Sequence, residues 1–262
     1  MATKKASKAW VGMLKELEHG RIGGRITEAN FRSFLDQFAA ATSGHEYEVA
    51  VVEASLLQQL QQAPLPPLDN LAIYMALGLE AEYDKAMKGK QMPAEDPNLW
   101  DLLMLPEATC NLAVATLKNL GLEVSDWCTD WDAYLNPEYE VPRAKGPYLL
   151  GFARSLTGES TDKSANERWK LHQEGVQGYD DPMLREGLIL VLGVYLATGE
   201  RVLLNIEKRT RTRSRFRNGF VASFYSYPGE VYVHNDYPFY AYPNACVRPV
   251  VSRQLEPSGA KV

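Results

Sequence analysis

The chain has 262 residues, of which 45% are apolar and 23% charged, and its formal net charge is -5. That balance is enough to bury a core and excludes wholesale disorder. It also excludes a protein whose whole surface binds nucleic acid, so any anion site has to be a local patch. The longest apolar run, LILVLGVYLA at 188–197, is shorter than the roughly 20 residues that cross a bilayer, so no membrane insertion is expected. No apolar stretch follows the lysines at the start of the chain, which makes a cytoplasmic location the default expectation, with export by another route left open. The cysteines Cys110, Cys128 and Cys246 form no CxxC pair. The histidines His19, His45, His172 and His234 lack metal-ligand spacing. Neither a disulfide framework, nor a metal, nor any cofactor is expected.

Residues 1–125 read as mostly helical. RITEANFRSFLDQFAAA (25–41) has Thr27 placed to cap it, and EVAVVEASLLQQLQQA (48–63) is closed by PLPPL. NLAIYMALGLEAEYDKAM (70–87) reads as a third helix with Asp69 or Asn70 as cap, and ATCNLAVATLKNLG (108–121) as a fourth, ended by Gly121. Residues 126–142 change character, with Asp126, Asp130, Asp132, Glu138 and Glu140 and no basic residue. They read as an acidic boundary segment. The DxD pair there lacks the histidine or glycine loop of a metal or catalytic site, and it reads rather as a solvated face or as counter-charge for arginines elsewhere.

From 143 onward the pattern is a strand, two helices and then β-structure. GPYLLGFARS (146–155) reads as a strand. SANERWKLHQ (164–173) carries a capping box, Ser164 with Glu167. DPMLREGLILVLGVYLATG (181–199) is bracketed by Asp-Pro and Gly and is apolar almost all round, so it belongs inside the domain. Residues 201–253 alternate as strands, with turns at Asn218-Gly219 and Pro228-Gly229.

Two features of this last region bear on function. On a strand, Arg209, Arg211, Arg213, Arg215 and Arg217 share one face at about 6.6 Å intervals. Such a ladder suits a single-stranded nucleic acid groove, with aromatics nearby to stack on bases. It equally suits internal pairing with the carboxylates of 126–140, which the acidic composition favours. Next comes a stretch with six of the 14 tyrosines, at 225, 227, 232, 237, 240 and 242, interleaved with serine and asparagine. That mixture is typical of paratopes, because tyrosine supplies large contact area at small entropic cost. In EVYVHND, Val231 and Val233 fall on one face and Tyr232 and His234 on the other, so a buried valine pair displays the rings. Randomising the adenines of AAY codons cannot produce Lys, Glu, Gln, Met or Trp. These make up 55 of the 262 residues, yet only Glu230 occurs in 220–246, where about six would be expected from composition.

From LATGE (196–200) through TRTRSRFRNGFVASF and GEVYV to CVRPVVS (246–252), the sequence resembles the C-terminal variable region of target proteins of diversity-generating retroelements, of the kind found in candidate-phyla bacteria. The resemblance spans about residues 140–255. It implies a C-type-lectin-like fold, of the type shared with formylglycine-generating enzymes, in which CVRPVVS is the closing strand. Cys246 stands where that strand usually has glycine. The paired cysteines that formylglycine-generating catalysis needs are absent beyond residue 128.

The expected protein is therefore α+β, with a helical region at 1–125, a boundary at 126–142 and a C-type-lectin-like display domain at 143–262. It is expected to be a non-enzymatic binder of an unknown protein or cell-surface ligand. By position, the displayed residues are Ser223, Tyr225, Tyr227, Tyr232, His234, Asn235, Asp236, Tyr237, Tyr240, Tyr242 and Asn244. The alternative of a different class is single-stranded nucleic acid binding through Arg209–Arg217. A catalytic site would need Asp130, Asp132 and His172 or His234 to converge.

Overall fold

The computed structural model describes residues 67–141, 143–154, 163–177, 180–198, 209–227, 230–241, 245–246, 248 and 250–258. The chain divides into two compact units, Met1–Pro66 with Ala197–Glu200, and Pro67–Leu196 with Arg201–Val262. The helices expected at 25–41 and 48–63 lie outside the described residues. Among those described, the class is α+β, with six helices and ten strands, and no helix is long and apolar enough to cross a membrane.

Helix α1 (Asn70–Ala76) is capped by Asp69, whose carboxylate accepts the Ala72 N–H at 3.0 Å. The expected single helix over 70–87 is instead two. Gly78 takes the left-handed conformation (φ +71°) that ends α1, and α2 (Glu80–Met87) follows. Strand β1 (Lys90–Gln91) comes next, then β2 (Leu99–Met104), which the helical reading of this region missed. The bare edge of β2 is covered by α1. Asn70 donates to the Asp101 carbonyl and accepts from the Leu103 N–H, while the Tyr74 hydroxyl bonds the Leu103 carbonyl and accepts the Leu105 N–H. Side chains thus replace a missing strand.

Helix α3 (Cys110–Asn119) is capped by Thr109 and ends before Gly121 at φ +84°, as its sequence implies. Strand β3 (Glu123–Val124) and the short helix α4 (Trp131–Tyr134) follow. Strand β4 (Tyr148–Ala153) then leads to α5 (Ala165–Gln173), which carries the full Ser164–Glu167 capping box, and to α6 (Leu184–Thr198). Strands β5 (Arg209–Arg215), β6 (Val221–Tyr227) and β7 (Glu230–Asp236) form an antiparallel meander turned at Gly219 (φ +86°) between β5 and β6. Strands β8 (Ala245–Cys246), β9 (Val250–Arg253) and β10 (Glu256–Pro257) complete the described chain.

Three sheets result, ordered β1–β10, β2–β4–β9 and β3–β7–β6–β5–β8. The last long strand returns to β4, with Leu149 opposite Arg253 and Phe152 opposite Val250. Just before it, the buried Arg248 donates to the Ala153 carbonyl and lies 5.1 Å from the Trp100 ring centroid. The boundary expected near 125 does not delimit the compact unit, because β2 pairs with β4 and β3 pairs with β7. Residues 67–125 fold with the carboxyl-terminal strands. The acidic segment is held there by its aromatics: Trp127 packs edge-on to Trp131 (4.8 Å) and to Phe216 (5.3 Å) at the end of β5.

Helix α6 is the centre of this unit. Leu188, Ile189, Leu190, Val191 and Leu192 are all fully buried. Its two glycines are points of close approach. A Cβ on Gly187 would stand 2.2 Å from Phe224 of β6, and one on Gly193 would stand 2.6 Å from Ile73 of α1. Gly187→Ala is therefore expected to destabilise the protein by about 1–3 kcal/mol through overpacking, although alanine is the better helix former. Urea melts of Gly187→Ala and of Gly187→Ala/Phe224→Leu test this, with partial recovery expected in the double variant.

Candidate functional site

The five-stranded sheet has one face against α6 and one face away from it. Thr210, Phe224 and Val233 line up across β5, β6 and β7 on the helix side, and all are buried. On the opposite side Arg211 stands beside Ser223, Ser223 beside His234, Tyr225 beside Tyr232, and Val221 beside Asp236. Three rings on this second face form a stack. Tyr225 and Tyr232 lie 5.1 Å apart at 17°, and Tyr225 and His234 lie 5.0 Å apart at 18°. The Tyr225 hydroxyl is 2.9 Å from His234 Nε2, and the tautomer of that ring decides which of them donates. The Tyr232 hydroxyl donates to Glu230 at 2.5 Å, and that bond pushes its pKa up to about 12. All three rings are half-buried, while Val231 and Val233 beneath them are in the core. The outer edge of β7 is closed by Ser125, which accepts the Val233 N–H, and by the Trp127 indole, which donates to the Val233 carbonyl.

The other end of the same face is covered. Arg211, 1% exposed, donates to the Lys163 carbonyl (2.9 Å) and to the Tyr240 carbonyl (3.3 Å). The Asn166 N–H at the start of α5 donates to the Pro238 carbonyl. Ser223 and Asp236 lie at this covered end and are buried. The expectation that they are displayed is corrected on that ground: alternation puts them on the right face, but α5 and the 237–241 loop close over it. Asn235 is exposed, and so are Tyr237 (53%) and Tyr240 (61%) in that loop, together with Phe239 (76%). Phe239 was absent from the sequence-based set, although a phenylalanine between displayed tyrosines was its signal. Tyr227 lies in β6 opposite Glu230, with its side chain outside the description, and Tyr242 and Asn244 lie outside the described residues.

The arginine ladder turns inward. Arg213 donates to the Val141 carbonyl (2.8 Å), and Arg215 donates to the Asn166 side chain and lies 4.6 Å from the Tyr139 ring centroid. Arg217 is exposed, and the Arg209 side chain is outside the description. The anticipated pairing with the carboxylates of 126–140 holds only as attraction at a distance: Glu140 acts on Arg213 and Glu138 on Arg215, while the direct hydrogen bonds of Arg211 and Arg213 go to backbone carbonyls. The aspartates of that segment have other work. Asp132 accepts the N–H groups of Cys110 and Asn111 at the start of α3, and Asp130 accepts from Ala133 and from the Asn111 side chain. Both are helix-end acceptors. His172 stacks on Trp169 (5.2 Å) with Nδ1 3.5 Å from Asp180, whereas His234 belongs to the tyrosine stack. Among the described residues no group of His, Cys, Asp or Glu is placed to hold a metal ion.

No family model matches the chain, and neither a curated protein nor a solved structure matches it.

Glu140 gives a pH signature. Burial pushes its carboxyl up to about 7 from an ordinary 4.5, against the pull of Ser214, Arg185 and Arg213. The folded chain holds this proton more tightly than the unfolded chain does. The stability it contributes is complete below pH 4.5 and is lost as pH rises through 7. Urea melts from pH 4 to 8 are expected to show Glu140→Gln gaining on the wild type across that window, with a constant difference above it.

Proposed function

We propose that this protein is a non-enzymatic binder that presents the Tyr225–Tyr232–His234 stack to a protein or cell-surface ligand. The supporting observation is the division of one sheet face into a covered end and an open end. Three rings at the open end are held in fixed orientation by cross-strand stacking and phenol hydrogen bonds. Rings already ordered lose little entropy on binding, which favours affinity. The exposed Tyr237, Phe239 and Tyr240 extend the candidate surface, whereas Asn235, paired with Ala222, falls by alternation on the other face of the sheet. A single face of this kind gives binding of about -8 to -12 kcal/mol, micromolar to nanomolar.

We also propose that the domain is C-type-lectin-like and that its tyrosine-rich stretch is diversified. In support, β4 is followed by two helices, a three-stranded meander and a closing strand, Val250–Arg253, that pairs back onto β4. The nucleic acid alternative is less favoured, because Arg211 is buried and Arg211, Arg213 and Arg215 hold groups of the protein itself. That alternative demands a log–log salt slope near -0.7 per phosphate neutralised.

Two experiments test the display reading. DNA flanking the gene is expected to hold a near-copy of the codons for residues 208–252, differing mainly at adenines, beside a reverse transcriptase gene. Its absence removes the diversification claim. Separately, Tyr232→Ala and His234→Ser are expected to change stability by about 1 kcal/mol or less. Arg211→Ser is expected to cost about 2–3 kcal/mol or more, since it removes a buried guanidinium and its two charge-assisted hydrogen bonds to the Lys163 and Tyr240 carbonyls. Urea melts in which the ring variants lose as much as Arg211→Ser would make the stack a structural element and defeat the proposal.

A further inference from the structure

Resting on the display reading above, we infer that the ligand is a basic protein segment, and that one of its lysine or arginine side chains is received where Glu230 and Glu123 flank Tyr232 at the open end of the sheet face. The strand register brings these groups together. In the parallel β3–β7 pair Glu123 stands opposite Glu230, and Val124 opposite Val231. Both valines are buried, so alternation turns both carboxylates to the face that carries Tyr232. Glu230 is half-buried and accepts the Tyr232 hydroxyl through Oε2, while Glu123 is exposed. Both are near enough to act on that hydroxyl. Among the described residues neither carboxylate forms an ion pair.

Like charges directly opposite each other on paired strands, about 4.8 Å apart at their backbones, oppose folding. The arginines of β5 do not answer this pair. Arg211 bonds the Lys163 and Tyr240 carbonyls at the covered end, and Arg215 reaches Asn166. Arg209 belongs to β5, two strands away from β7, with its side chain outside the description. A cation set between Glu230 and Glu123 offsets their repulsion. Its methylene stem can lie along the Tyr232 ring, and ring and cation attract each other. The same two charges repel nucleic acid, acidic glycans and anionic lipid surfaces, so charge complementarity selects a basic protein segment among the ligands that an aromatic face could take. The net charge of -5 on the whole chain steers such a partner in the same direction.

The test pans a random peptide display library on the full chain and keeps the peptides whose binding Tyr232→Ala abolishes. These are expected to be enriched in lysine or arginine over the unselected library. Fluorescence anisotropy of labelled peptides from this set is expected to show affinity falling with salt. It is also expected to show Glu230→Gln weakening binding by about tenfold or more and the exposed Glu123→Gln by about threefold. Urea melts confirm that each variant is folded, and Glu123→Gln serves alone where Glu230→Gln is not. Peptides that depend on Tyr232 but carry no enriched cation, or that bind the folded glutamine variants as well as the wild type, overturn this inference and leave the display reading standing. A library that yields no peptide dependent on Tyr232 defeats the display reading and this inference with it.

Discussion

Glu186 is the residue on which the arrangement turns. Its carboxylate has no exposure to solvent, and an ionised group in that position costs several kcal/mol unless donors surround it. Four donors do. The Met183 N–H reaches it at 2.7 Å, Arg143 by Nε at 2.9 Å and by Nη2 at 3.2 Å, and the Tyr148 hydroxyl at 2.9 Å. These come from the turn before α6, from the segment after the acidic stretch, and from β4. One buried charge therefore fixes the start of the central helix relative to both neighbours. Removing Arg143 would leave the carboxylate short of its cationic partner, which explains why the cluster holds as a unit.

The position of α6 then sets the functional sheet. The Leu184 N–H donates to Ser214 Oγ at 2.7 Å, and the Arg213 N–H to the Pro182 carbonyl at 2.9 Å, so β5 is registered against the start of the helix. Phe224 fits only because residue 187 has no side chain. With one face of the β5–β6–β7 meander committed to the core in this way, alternation turns Tyr225, Tyr232 and His234 to the other side. The inward-reaching Arg211 and the start of α5 then close half of that side. Arg211, one member of what looked like a phosphate ladder, thus helps to limit the open surface to the aromatic end.

Much of the local structure was legible because it rests on interactions within a few residues. The Ser164–Glu167 capping box, the Asp69 and Thr109 caps, the Gly121 stop and the Asn218-Gly219 turn are short-range devices, and the sequence spells them out. The apolar girth of 188–197 announced a buried helix, and the alternation of Val231 and Val233 with Tyr232 and His234 announced which side each faces. The misreadings share a physical cause. The segment LWDLLM at 99–104 has no clean period, and it is a strand because β4 and the polar groups of Asn70 and Tyr74 satisfy its backbone. The carboxylates at 130 and 132 read as the solvated face of a boundary segment or as counter-charge for arginines, and they are acceptors for helix ends brought near by folding.

From residue order alone, then, come the α+β class, the caps and turns, the buried helix and the two-sided character of the tyrosine strands. All of these follow from backbone geometry and side-chain period. Tertiary structure alone decided that Ser223 and Asp236 are buried while Tyr225 and Tyr232 are only half-buried, and that Arg211 reaches the Lys163 and Tyr240 carbonyls. It also decided that Arg213 reaches the Val141 carbonyl and Arg215 the Asn166 side chain. Those outcomes depend on elements distant in sequence, α5, the 237–241 loop and the stretch around Val141, coming to rest against β5. No local pattern encodes which distant backbone will reach a given side chain first.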